Sequence, residues 1–316
     1  MINVKRSKNV KRSAILVVWS SLLFLIFFLK CAQAQEKPWE AVICLQPYNT
    51  YYEETSQSES GNPTTLAGNS FSVLSLRASV TYRARQELHL PIFVTIEPTI
   101  SIVTLKGSEV GSENEPDGTR LVTSKEDVQH TNLTGRALLG FEILPFLEPY
   151  IAIERSEFES RRTNQQDGTE SGDFVPDIDQ DYTETIMSTQ LGFGVQGAVP
   201  LNDNADWRIR YDLGYEIPQT VRVGNTFFGP GTWGQGTTGY TFGGRVQLDL
   251  PFRLIPPLAD NNGYFTIGAL VSKRHWNGDG QQGGPVVANG VLYQTLNWPA
   301  NSVVDAGGFI GVGMLF

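Results

Sequence analysis

The last eleven residues, Ala306 to Phe316, carry a small or apolar side chain at every second position: Ala306, Gly308, Ile310, Val312, Met314 and Phe316. Side chains on a β-strand point alternately to opposite faces, so this spacing describes a strand with one continuous greasy face. Residues 72–85 show sharper contrast: Leu74, Leu76, Ala78, Val80, Tyr82 and Ala84 oppose Ser75, Arg77, Ser79, Thr81, Arg83 and Arg85. In 91–105, Ile92, Val94, Ile96, Ile100 and Ile102 oppose Thr95, Glu97, Thr99 and Ser101. In 207–217, Trp207, Ile209, Tyr211, Leu213, Tyr215 and Ile217 oppose Arg208, Arg210, Asp212 and Glu216.

Weaker alternation runs through about 40–54, 132–143, 146–159, 184–199, 239–250, 263–275 and 303–316, giving ten strands. A soluble sandwich would alternate too, but its connections would have no reason to sort by length. Here they do. Long polar stretches at about 55–70, 107–130, 160–183, 223–238 and 276–302 take turns with shorter ones at about 86–90, 144–145, 200–206 and 251–262. Long loops on one rim and short turns on the other are the arrangement of an outer-membrane barrel. Hydrocarbon offers backbone amides no partners, so a membrane-spanning sheet must close on itself. The expected fold is therefore all-β: a closed antiparallel transmembrane β-barrel of about ten strands. Eight and twelve are the alternatives, twelve if Val286 to Gln294, with Asn289-Gly290 at its turn, forms a spanning hairpin; its arms of about four residues fit a small hairpin within a loop better. Apolar faces should meet lipid, with Trp207 and Phe316 in an aromatic girdle at one rim and Tyr182, Tyr240 and Trp276 in one at the other.

The N-terminus reads as an export signal: basic residues Lys5, Arg6, Lys8, Lys11 and Arg12, an apolar run from Ala14 to Leu29, then small residues Ala32 and Ala34. The expected organisation is a cleaved signal peptide at 1–34 and a barrel domain at 35–316. Beyond residue 34 the chain keeps 18 basic and 33 acidic residues, net −15, which excludes general affinity for nucleic acid. Cys44 is then the sole cysteine, so no intrachain disulfide forms. No mature segment reaches the ~20 apolar residues of a membrane helix.

The inward faces carry the chemistry. Fourteen of the 18 mature basic residues are arginine. Arg77, Arg83, Arg85, Arg136, Arg208, Arg210 and Arg245 fall on lumen positions, with Glu97, Glu142, Glu154, Asp212, Glu216 and Asp249 as carboxylate partners. Arginine forms two-pronged bonds to carboxylates and suits enclosed ion pairs. A ten-stranded barrel is narrow enough for side chains to fill, so the expectation is an ion-pair network plugging the lumen. The alternative is a narrow porin lined by arginine and favouring anions.

Several segments resemble the small outer-membrane β-barrel superfamily of OmpA-like and opacity-type barrels. Phe146-Leu147-Glu148-Pro149-Tyr150-Ile151 resembles its Pro-Tyr strand opening, and Ile96-Glu97-Pro98 echoes it. Gly192-Phe193-Gly194, the polar turn at 200–206 and Trp207 to Tyr215 resemble its strand–turn–strand units. The smallest members have eight strands, and no peptidoglycan-binding domain follows here. The resemblance implies an outer-membrane location, and the even strand count puts both mature termini on the short-turn side, in the periplasm. The resemblance also implies that the barrel-insertion machinery reads the terminal strand Ile310, Val312, Met314 and Phe316, and it leaves activity open.

Barrels of this size include omptin proteases and lipid A-modifying enzymes, whose sites need an activated base or nucleophile. A barrel-embedded hydrolase is thus a further alternative. His89 falls in a short turn, and His130 and His275 near the outer rim on different strands. None matches the omptin Asp-His plus paired-Asp arrangement. The expectation is no enzyme, no cofactor and no metal centre. Asp177, Asp179 and Asp181 start like a calcium loop, but Tyr182 stands at the sixth position and Ser188 at the twelfth, so the EF-hand pattern fails. Glu109, Glu113, Glu115 and Asp117 in one outer loop, with Asp167, Glu170, Asp173, Asp177, Asp179 and Asp181 in another, would face lipopolysaccharide phosphates. Divalent cations can bridge the two. Outer-membrane lipid and lipopolysaccharide are the expected partners.

Overall fold

A computed structural model describes residues 38–316, apart from 58–62, 69–70, 106, 115–119, 169–173, 177–180, 203–206, 227–232, 237, 255–261, 278–281, 284–285, 289–290, 294–295 and 298–299. The expected signal peptide and the loop residues Glu115, Asp117, Glu170, Asp173, Asp177 and Asp179 lie outside the described residues.

Ten long strands form an antiparallel meander: β1 Trp39–Gln57, β2 Phe71–Arg83, β3 Ile92–Thr104, β4 Arg120–Phe141, β5 Glu148–Gly168, β6 Tyr182–Pro200, β7 Arg208–Asn225, β8 Gly239–Pro251, β9 Gly263–Trp276 and β10 Ala300–Leu315. Each pairs with its successor, and β10 returns to β1 from Glu40↔Leu315 to Thr55↔Ala300. The terminal aromatic completes this seam: Trp39 and Phe316 exchange both backbone hydrogen bonds at 3.0 Å. Closure removes the unpaired edges that hydrocarbon would not tolerate. The hairpin of Val286–Ala288 with Val291–Tyr293 is a separate two-stranded sheet, so the barrel has ten strands.

Large apolar side chains stand exposed around the wall. They include Leu133, Leu139 and Phe141 on β4 with Ile143 just past its end, Ile151 and Ile153 on β5, Phe193 on β6, Ile267 on β9, and Ile310, Val312 and Met314 on β10. At a rise of ~3.3 Å and a tilt of ~40°, the stretch from Leu133 to Ile143 spans about 25 Å, the height of a lipid-facing belt.

The wall continues past this belt. β4 and β5 have 22 and 21 residues, roughly twice the ~9–11 a tilted strand needs to cross. They remain paired from Asn132↔Phe158 up to Ser124↔Asp167. Strand parity does not change along β5, but chemistry does. Ile151 and Ile153 point outward within the belt, and Arg155, Glu157, Glu159 and Arg161 follow them on the same face. Inside, Glu148 and Glu154 give way to Phe158. The same strand is apolar-out where lipid surrounds it and apolar-in beyond. The upper interior holds one apolar cluster of Tyr52, Val128, Phe158, Ile186, Val221, Val223, Trp276 and Val303. β7 enters this region through a register shift between Pro218 and Thr220. The extra residue moves the inward set from Asp212 and Glu216 to Val221 and Val223.

This inversion corrects the girdle. Trp276 is 2% exposed within the cluster, and Tyr182 turns inward against the Arg162 guanidinium, 5.4 Å from the ring centroid. Tyr240 faces outward and stacks on Tyr215 at 6.3 Å. Trp207 and Phe316 are exposed at the rim that carries the chain's end. Arg85 also departs from expectation. β2 ends at Arg83, and Arg85–Leu88 is a single helical turn closed by His89 in the left-handed conformation at φ 57°. Arg85 is therefore exposed on a turn and does not line the lumen.

Candidate functional site

Inward residues of β1 mark height in the lumen, from Glu40 at the terminal rim to Glu54 near the other end. At the bottom, Glu40 and Asp249 hold two arginines. Arg208 donates to Glu40 (3.1 Å) and Asp249 (2.9 Å), while Arg210 pairs with Glu40 at 2.8 Å and Asp249 at 2.6 Å. Tyr264 donates its hydroxyl to Glu40 at 2.6 Å. Beside them Arg83 bridges Glu142 (2.9 Å) and Glu148 (2.7 Å).

The middle is a chain of alternating charge. Arg77 donates to Glu97 at 3.1 Å, and Arg245 bridges Glu97 (2.7 Å) to Asp212 (3.0 Å). Arg136 joins Asp212 (3.2 Å) to Glu216 (2.8 Å). Tyr150 donates to Asp212 at 2.6 Å and accepts from Arg136 at 2.9 Å. Higher still, Arg274 pairs with Asp305 at 3.2 Å and donates to Asn132 at 3.2 Å. Breaking one such enclosed pair leaves an uncompensated charge, so each link costs more to remove than it contributes in place.

Tyr150 reaches across only because Gly194 leaves room. A Cβ at Gly194 would collide with the Tyr150 hydroxyl and the Leu213 carbonyl oxygen, whereas nothing lies within 4 Å of one at Gly135. Gly194→Val should therefore lower unfolding free energy by about 1–3 kcal/mol in urea titration of the lipid-reconstituted barrel. Gly135→Ala should leave the midpoint in place.

Two cavities interrupt the filling. One of about 170 Å³ lies between the Arg77–Arg136–Arg245 chain and Arg274. Another of about 70 Å³ lies below it, towards Glu40 and Arg210. Above the larger cavity the rings close in. Phe158 stacks on His130 (4.9 Å) and Tyr52 (5.7 Å) and meets Trp276 at 6.5 Å. Directly beyond, Arg162 is buried among three carboxylates: Glu54 at 3.0 Å, Glu126 at 3.3 Å and Glu184 at 3.6 Å.

The structure brings Arg77, Arg83, Glu97, Arg136, Glu142, Arg208, Arg210, Asp212, Glu216, Arg245 and Asp249 into these pairs. Glu154 faces the larger cavity. Sequence reasoning missed Glu40, Glu148, Arg274, Asp305 and the whole Arg162 cluster. Glu40 and Glu54 share parity along β1, which was the available signal. Arg162, Glu126 and Glu184 lay in or at the edge of stretches read as loop.

The histidines differ in setting. His89 is exposed on its turn. His275 is half-buried, with Nδ1 2.9 Å from Ser302 Oγ. His130, expected at a solvated rim, is instead 1% exposed inside the barrel, with Nδ1 2.5 Å from Ser160 Oγ.

No protein-family model matches the sequence, and no curated protein is similar to it. Among solved structures, the chain is similar to the outer membrane protease OmpT from Escherichia coli, with TM-score 0.65, 10% identity, and coverage of 91% of this chain and 100% of that one. The translocator domain of the autotransporter NalP from Neisseria meningitidis aligns with TM-score 0.36 and 11% identity over 96% of this chain and 98% of that one. The closed ten-stranded wall, its apolar belt and the first of these likenesses agree on one conclusion: the chain has the fold of a small outer-membrane β-barrel.

Proposed function

We propose that the protein is a non-enzymatic barrel of the outer membrane, with its lumen closed by its own side chains and a structural or surface-interaction role. The observation that carries this reading is the stack of crossings in the upper lumen. The Phe158–His130–Tyr52–Trp276 rings and the Arg162–Glu54–Glu126–Glu184 cluster lie above an ion-pair chain, and together they span the interior. Orientation follows from the connections. The short turns and the closing Trp39–Phe316 seam share one rim, which supports reading that rim as the periplasmic one after export and signal cleavage. The polar extension and long acidic loops then face outward, towards lipopolysaccharide and bridging divalent cations. The strand ending in Ile310, Val312, Met314 and Phe316 offers the insertion machinery an apolar face with an exposed aromatic ring.

The Ser160–His130 contact has the reach of a nucleophile–base pair. Both residues are 1% exposed, and rings flank the imidazole, so a substrate has no path to it. This favours the non-enzymatic reading.

Planar-bilayer recording on the refolded barrel is the test. The expected result is an absence of discrete conductance steps. Steps in the wild-type protein that are altered by Arg77→Ala or Arg210→Ala would establish a channel instead.

A further inference from the structure

The larger lumen cavity has a charge balance that counting arginines does not suggest. Four arginines and five carboxylates line it. Four of those carboxylates, Glu97, Asp212, Glu216 and Asp305, are the partners already described for Arg77, Arg136, Arg245 and Arg274. The fifth is Glu154. Its residue is 8% exposed, and among the described residues its carboxylate has neither a hydrogen bond nor an ion pair within 4 Å. The cations that act on it, Arg274 and Arg136, are both committed to other carboxylates, and Glu216 adds to the negative field. The second carboxylate oxygen of Glu216, Oε2, is buried without a hydrogen-bond partner.

An ionised carboxylate without a partner is costly in an enclosed site. Glu154 and Glu216 Oε2 are both acceptors, so either a proton or a donor that carries positive charge complements them. The space suits a small molecule: a cavity of 150 Å³ is enough for benzene, and this one is about 170 Å³ with a mixed lining that includes Tyr48, Asn132, Thr134 and Thr241.

We propose that this cavity is a binding site for a small organic ammonium cation, held by Glu154 and Glu216. The arginine-rich lumen is thereby selective for cations at its centre, because its guanidiniums are occupied by carboxylates and its uncommitted group is an acid.

The test is isothermal titration of the refolded barrel in detergent at neutral pH with methylammonium chloride as the probe, and with sodium acetate as an anion of similar size. The expected result is saturable methylammonium binding, no acetate binding, and at least a tenfold weaker affinity in Glu154→Gln. The outward-facing control Glu157→Gln should bind as the wild type does. Folding of each variant is read from its heat-dependent gel shift. If Glu154→Gln fails to fold, exclusion of the bulkier tetrabutylammonium by the wild type keeps the site testable. Absence of methylammonium binding to folded wild type, preference for acetate, binding of tetrabutylammonium as strong as that of methylammonium, or unchanged affinity in folded Glu154→Gln overturns the proposal.

Discussion

Arg162→Met will cost about 3–5 kcal/mol of folding stability, the range for removing one member of a buried ionic cluster. The guanidinium is 1% exposed and faces Glu54, Glu126 and Glu184, with Tyr52 and Tyr182 against its faces at 5.6 and 5.4 Å. Met fills much of the same volume but leaves three carboxylates crowded together without a cation. These carboxylates come from β1, β4 and β6, so their repulsion acts across the upper barrel and not along one hairpin. Arg162→Lys should lose part of the same stability, because an ammonium cannot address three acids through a planar fork. Arg155→Met, on the outward face of the same strand, should move stability by no more than about 0.5 kcal/mol. Urea unfolding in lipid vesicles, followed by tryptophan fluorescence, measures all three. Equal midpoints for Arg162→Met and Arg155→Met would remove Arg162 as the organiser of this region.

The Phe158→Ala/Trp276→Ala double variant will turn a silent barrel into one with discrete conductance. These rings are two of the three aromatic members of the apolar cluster that crosses the lumen between the larger cavity and the Arg162 group. Truncating both joins the cavity to the space above it. Each truncation also destabilises, by about 3–5 kcal/mol for a fully packed site, so the recording must use protein whose gel shift shows it folded. Folded and silent double variant would mean that the rings are not the barrier.

The architecture was legible because lipid imposes a simple rule. Within the belt, outward residues must be apolar, and the enclosed side then collects Arg77, Arg83, Glu97, Asp212 and Asp249. Beyond the belt, water is outside and the rule reverses without any change of parity. Phe158 and Glu157 are indistinguishable by spacing from a strand that is ending, so periodicity stops β5 near residue 159, whereas it runs to Gly168. Trp276 and Tyr182 looked like girdle residues for the same reason, since an aromatic near a strand end fits both an interface and an interior. Arg85 continued the cationic face of β2 in sequence, but the chain had already turned at Ala84. The bulge after Pro218 inserts a residue into β7 and shifts its inward set, which periodicity alone does not reveal. Pairing partners such as Glu40 with Arg208 and Arg210 depend on register around a closed wall, and a sequence carries register only through contacts between distant strands.

The seam between the first and last strands tests the account most directly. Ile43 lies opposite Val312, and Ala41 opposite Met314. Directly opposed residues of an antiparallel pair have Cα atoms ~4.5–5.5 Å apart, within the span of a disulfide. With Cys44 replaced by Ser, the pair Ile43→Cys and Val312→Cys should cross-link on mild oxidation of the folded protein. Ile43→Cys with Met314→Cys, two residues out of register, should remain reduced. Cross-linking confined to the first pair is the result expected of a closed ten-stranded barrel. Its absence in folded protein, or equal cross-linking of both pairs, would contradict closure in this register.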